Sequence, residues 1–204
     1  MSTPDPVVVE HCVSFVRIWA ETVLRQVKRV RLMRATFHRD HRNYERLEDW
    51  SPTETDLERN FRALWAEEHT LVWAAHQLEK WAQRLARERR QPSPERDATL
   101  AGVRNALEHL EDADFDEFHA LAGEKSNRSL RGLPGSRIPI TLGGELSFGL
   151  IDSRELEERA LAIVRSIEDE MEQHALARYL AWRDEEEKEA RALRRLSGDA
   201  VQDE

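Results

Sequence analysis

Three prolines in this chain directly follow residues that cap helices: Asp5-Pro6, Ser51-Pro52 and Ser93-Pro94. Proline at the first helical position costs nothing, because its missing N–H would have no intrahelical partner there. The Asp or Ser before it accepts from one of the next free N–H groups. The three pairs therefore predict three helix starts. Only eight glycines and seven prolines occur in 204 residues, too few for the many tight turns of an all-β chain, and Ala, Leu, Glu and Arg dominate.

Apolar periodicity fills in the helices. Val9, Val13, Val16, Ala20, Val23, Val27, Val30 and Leu32 recur at helical spacing, which predicts one long helix over about 7 to 48. Ser51 and Glu54 form a capping box for a second helix, which carries Leu57, Phe61, Leu64, Leu71, Leu78 and Leu85 and stops in the Arg-rich stretch before Pro92. A tight turn then makes the two antiparallel. A third helix is expected from Pro94 to Asp112, and a short fourth between the capping pair Asp114 and Glu117 and the stop at Gly123. Residues 123–137 read as a flexible loop. IPITL and ELSFGL around Gly143-Gly144 read as a two-residue β-hairpin. Asp152 and Glu155 cap a last helix to about Leu196, with Leu156, Ile163, Ile167 and Met171 as its buried stripe. The expected fold is all-α: an up-and-down bundle of four to five helices with one small β-hairpin insertion. The chain 1–204 reads as one domain with disordered ends at 1–5 and 197–204, because a cut at the loop would leave the last helix without a core.

Charge and cysteine content narrow the function. The 31 basic and 40 acidic side chains give a formal charge of −9, which counts against a general nucleic-acid coat but leaves room for a local basic site. The single cysteine, Cys12, excludes a disulfide framework and any cysteine-built metal centre. No apolar run is long enough to span a bilayer, and the start lacks a basic signal-peptide region, so the expected location is cytoplasmic with no membrane partner.

The third helix carries the residues that could do chemistry. In VRNALEHLED, Leu100, Val103, Leu107 and Leu110 fall on one side, while Asn105 and His109 stand one turn apart on the other, with Arg104 on the flank. That places His109 away from the face that must be buried. An arginine, an amide and a histidine together suit phosphodiester cleavage by internal attack, which needs a fixed cation for the phosphate, a proton carrier near neutral pH and an orienting group. The carboxylates Glu108, Glu111 and Asp112 beside His109 favour its charged form and also repel RNA. The plainer alternative is a solvated surface with Arg104 and Glu108 as an i,i+4 ion pair.

Arg104-Asn105 with His109 five residues after the arginine resembles the Arg-polar-x3-His signature of the HEPN superfamily of helical-bundle proteins. With 27 arginines and 8 histidines, chance supplies about one Arg-to-His pair at this spacing; requiring one of the four asparagines after the arginine lowers that to about 0.02. The resemblance implies a metal-independent endoribonuclease, acting as a toxin or in antiviral defence, with no cofactor. In it Arg104 holds the scissile phosphate, Asn105 orients the phosphate or the histidine, and His109 is the general acid or base. It also implies a homodimer in which two copies of this helix share one cleft, with RNA as substrate and an antitoxin or a nucleotidyltransferase as a further partner. The alternative is a non-catalytic helical dimerisation module, or a nucleotide-binding partner of a nucleotidyltransferase.

Other candidates rank lower. The cations Lys125, Arg128, Arg131 and Arg137 have two readings, a phosphate-binding flap over RNA or a loop kept soluble. His38, His41, His69 and His76 invite a metal centre, but in an antiparallel pair even His38 and His69 lie about 7.5 Å out of register, and no Glu-x-x-His occurs. No metal site is expected. Trp65, Trp73 and Trp81, spaced by eight, are expected to pack in the core. The run Asp184 to Glu187 reads as a solvated helical face.

Overall fold

The computed structural model describes residues 4–123, 128–142 and 144–199. It is an all-α fold with a small antiparallel sheet. Five α-helices are present among the described residues: α1 (Pro6–Tyr44), α2 (Glu54–Arg89), α3 (Ala98–Glu108), the single turn α4 (Arg128–Arg131) and α5 (Ser153–Asp199). None is long and apolar enough to cross a membrane. The chain separates into two compact units, Met1–Val164 and Arg165–Glu204.

In the first unit α1 and α2 form an antiparallel pair. Phe15 stacks on Trp81, Trp19 meets Trp73, Gln26 binds Glu67 and Asn60 binds Asp40, so partners descend α2 as they climb α1. The seam is built from Val16, Ala20, Val23, Val27 and Val30 against Leu64, Leu71, Val72 and Ala75, all nearly free of solvent contact. Small and β-branched side chains there let the two helices approach closely. α1 starts as the Asp5-Pro6 pair predicts, with the Asp5 carboxylate accepting from Val7 N at 3.0 Å.

The other two starts shift by a few residues. The capping box of α2 is Thr53 with Asp56, not Ser51 with Glu54. Ser51 instead closes the end of α1, donating to Asn43 O at 2.7 Å and accepting from Glu48 N. α3 is capped by Asp97, not Ser93: its carboxylate accepts from Leu100 N at 2.9 Å and also holds Arg159 of α5. Burial works to raise the Asp97 carboxyl, but the Leu100 N–H and the Arg159 guanidinium outweigh it and keep it below the usual range. Asp152 accepts from Arg154 N at 2.7 Å at the head of α5, as expected.

The segment between α3 and α5 departs most from expectation. The fourth helix predicted at 114–123 is instead two strands, β1 (Asp114–Phe115) and β2 (His119–Leu121), joined by a turn in which the Asp116 carboxylate accepts from Phe118 N and His119 N. An aspartate that binds the backbone two residues on favours a turn over a helix start. The predicted hairpin of IPITL with ELSFGL does not form either. β3 (Arg137–Pro139) pairs antiparallel with β2, setting Ala120 opposite Ile138, both fully buried. Gly143 lies outside the described residues. Residues 145–151 close a separate tight turn through Ser147 and Ile151, with Phe148 and Gly149 both at positive φ. A side chain at Gly149 would press into the Pro139 ring, 2.9 Å from its Cγ. Phe148 is buried edge-on to Trp65, with ring centres 4.9 Å apart.

One ion pair binds these parts together. Arg34 Nε donates to Glu68 Oε1 at 2.7 Å, Nη1 to Glu145 O at 2.6 Å and Nη2 to Ser147 Oγ at 2.7 Å. Both charged side chains are buried, so α1, α2 and the 145–151 turn share one satisfied polar knot.

The second unit consists of the continuation of α5. Met171 of the predicted buried stripe is exposed, as are Leu176, Tyr179, Leu180 and Trp182. The acidic run Asp184–Glu187 is exposed, as expected. The ends expected to be disordered fall partly outside the described residues; within them, Asp5 caps α1 and α5 extends to Asp199.

Candidate functional site

α3 is positioned by its apolar side. Leu100, Ala101, Val103, Ala106 and Leu107 are buried, and Gly102 lets Leu133 pack so closely that a Cβ there would lie 2.9 Å from its Cδ2. The motif begins on the flank of that buried side and reaches solvent only at His109. Arg104 Nη1 donates to Asn105 Oδ1 at 2.8 Å, and Nη2 makes an ion pair with Glu108 one turn on. Arg104 and Asn105 are half-buried, and the Arg104 Nε is buried without a hydrogen-bond partner.

The helix ends earlier than predicted. Glu108 is its last residue, and His109 stands at the C-cap with φ −121° and ψ 30°, followed by a 3-10 turn, Leu110–Asp112. His109 is exposed, and one of its ring nitrogens lies within 4.8 Å of a carboxylate oxygen of Glu111 and of Asp112. Three exposed groups at a solvated helix end are common without a cation, and no metal is assigned to them. The structure thus joins Arg104 directly to Asn105 and sets His109 on the exposed end of the same short helix.

Two histidines of α2, which the sequence offers only as rejected metal ligands, belong to this neighbourhood. His76 is buried, its Nδ1 has no hydrogen-bond partner, and the Glu79 carboxylate stands 3.8 Å away. Burial lowers its pKa, as do the charges of Arg104, Lys80 and Arg96, while Glu108 acts to raise it. Burial likewise lowers the pKa of His69, against an opposing pull from Glu108. Both rings therefore favour the neutral form near pH 7. Their spacing of seven residues puts them on one face of α2, the signal that could have paired them with α3.

Part of the segment read as a flexible loop is an anchored helical turn. Arg128 and Arg131 lie on α4, whose Leu130 is fully buried, and Leu133 seats the chain against α3. Arg131 Nη2 donates to Gly123 O at 2.9 Å, while Arg128 and Arg137 are exposed. Lys125 lies outside the described residues. Of the three tryptophans expected in the core, Trp73 is 37% exposed. His38 and His41 line a separate cleft of about 610 Å³ between α1 and α2, floored by Phe37, Leu57 and Phe61.

No family model, curated protein or solved structure matches this chain.

Proposed function

We propose that the protein is a metal-independent endoribonuclease of HEPN type, cleaving RNA at the exposed side of α3. The observation that carries this reading is the joined, half-buried pair Arg104 and Asn105 on the flank of α3, with exposed His109 four residues after Asn105 at the end of the same helix. Arg104 offers a fixed guanidinium to a non-bridging phosphate oxygen, and Asn105 holds that guanidinium in place. In the reaction the ribose 2′-oxygen attacks phosphorus, the bond to the 5′-oxygen breaks, and a cyclic phosphate forms. His109 takes the 2′-hydroxyl proton or supplies the proton to the leaving 5′-oxygen. A homodimer would bring a second copy of this exposed stripe across a two-fold axis and close a cleft around the phosphate. Toxin or antiviral action, with an antitoxin or nucleotidyltransferase as partner, belongs to the same proposal, as does a cytoplasmic location.

The Arg104–Glu108 ion pair favours a second reading, a non-catalytic interaction module, because it occupies the cation that substrate would need. Incubating purified protein with total RNA in excess EDTA separates the two. We expect cleavage by the wild type and its loss in Arg104→Ala and His109→Ala, with melting temperatures little changed. Equal cleavage by all three proteins would end the catalytic assignment.

A further inference from the structure

A second basic surface lies on the outer face of α2. Trp73, Gln77, Lys80, Arg84 and Arg87 follow one another at steps of four and three residues, which is one face of a helix. From Trp73 to Arg87 this face runs about 21 Å at helical rise. Against α1 it opens into a groove of about 480 Å³, floored by Cys12, Phe15 and Trp81 and rimmed by Lys80, Arg84 and Arg87. No carboxylate is among the described residues lining that groove. In a chain with a formal charge of −9, this is a marked local reversal of sign.

Aromatic rings are interleaved with these cations. Phe15 is 40% exposed and stacks on Trp81 with centres 4.3 Å apart; Trp73 is 37% exposed and braced edge-on by Trp19 at 5.0 Å. Each exposed ring is thus held from behind by a second ring.

We propose that this face binds single-stranded RNA, with phosphates on Lys80, Arg84 and Arg87 and unpaired bases against Phe15 and Trp73. The proposal rests on the ribonuclease reading for its choice of RNA. Braced rings beside a row of cations suit a polymer that carries both unpaired bases and phosphates, and a duplex would keep its bases from the rings. Arg84 is exposed and paired with half-buried Glu88 at 2.7 Å, and a phosphate would compete with that carboxylate for the guanidinium.

The test reads binding and not cleavage. The probe is a fluorescein-labelled 2′-O-methyl oligonucleotide of about 12 nucleotides, within the span of known single-strand sites; it lacks the attacking hydroxyl. Anisotropy is followed at several salt concentrations. The triple variant Lys80→Gln, Arg84→Gln, Arg87→Gln is expected to bind at least about tenfold more weakly, with the slope of log affinity against log salt reduced by about 2. Phe15→Leu and Trp73→Leu, which keep apolar bulk, are each expected to weaken binding by about five- to a hundredfold. No binding by the wild type, or unchanged affinity and slope in the triple variant, overturns the proposal. So does a triple variant that changes only the molecular mass by light scattering, which would assign the face to a protein partner. Arg104 and His109 are untouched throughout, so a wild type that binds through this face but cuts nothing would sink the nuclease reading alone.

Discussion

Arg34 with Glu68 and Arg104 with Glu108 are the same ion pair in two settings. In the first, the side chains are 9% and 2% exposed, and Nε, Nη1 and Nη2 of the arginine all donate at 2.6–2.7 Å to acceptors from two other parts of the chain. In the second, both partners sit on one short helix, 23% and 32% exposed, and the arginine Nε has no acceptor. A buried cation whose three nitrogens each bond inside the protein is out of a ligand's reach, and its loss strands a buried charge. A cation held by a neighbouring amide and one partly exposed carboxylate can exchange that carboxylate for a phosphate at small cost. The first pair organises the fold, and the second is available for function.

The largest effect should come from breaking the buried pair. Arg34→Ala is expected to lower stability by about 3–5 kcal/mol, because Glu68 is left charged in an apolar seam, whereas Arg104→Ala should cost under about 1 kcal/mol. Urea denaturation of both variants measures the difference. Replacing the whole buried pair, Arg34→Met with Glu68→Leu, should restore much of the loss, since two desolvation penalties disappear with the attraction. Equal costs for Arg34→Ala and Arg104→Ala would erase the distinction between the pairs.

A smaller effect is set by pH. His69 and His76 both have folded pKa values depressed below the ordinary 6.5, chiefly by burial. The unfolded chain therefore binds their protons first as pH falls, so stability is full above about 6.5 and declines below it. Each histidine adds a slope of at most about 1.4 kcal/mol per pH unit. Thermal melts between pH 7.5 and 5 should show this decline, and His76→Phe should flatten it. A profile unchanged by that substitution would remove His76 from the buried polar layer facing Arg104.

The same contrast explains what could be read from the residues. The long helices were legible because Val16, Val23, Val30, Leu64 and Leu71 repeat over many turns, and such a pattern survives local error. The segment 114–151 was not, because its signals are local and tertiary contacts outvoted them. Asp114 with Glu117 resembles a capping box, yet Asp116 turns the chain. The alternation in ELSFGL resembles a strand, yet Arg34 and Trp65, more than 80 residues earlier, draw Glu145, Ser147 and Phe148 into a turn. At the candidate site, Arg104 and Asn105 are neighbours in sequence and were found together. His69 and His76 reach the same place only through the packing of α2 on α3, and no spacing within α3 could announce them.

The finest test of the exposed pair is Glu108→Gln. Glu108 neutralises Arg104 in the free protein and pulls the pKa values of His69 and His76 upward against burial. Removing its charge should free the guanidinium for a phosphate, raising affinity for the 2′-O-methyl oligonucleotide about two- to fivefold, the scale of one exposed ion pair. It should also shift both imidazole titrations to lower pH, readable by NMR, with no more than about 0.5 kcal/mol lost in stability. The three readouts separate the roles open to this carboxylate. Tighter RNA binding with lower histidine pKa values makes Glu108 a competitor that substrate displaces. Lower pKa values with unchanged or weaker binding would mean that Glu108 positions Arg104, and that the phosphate is held by another cation.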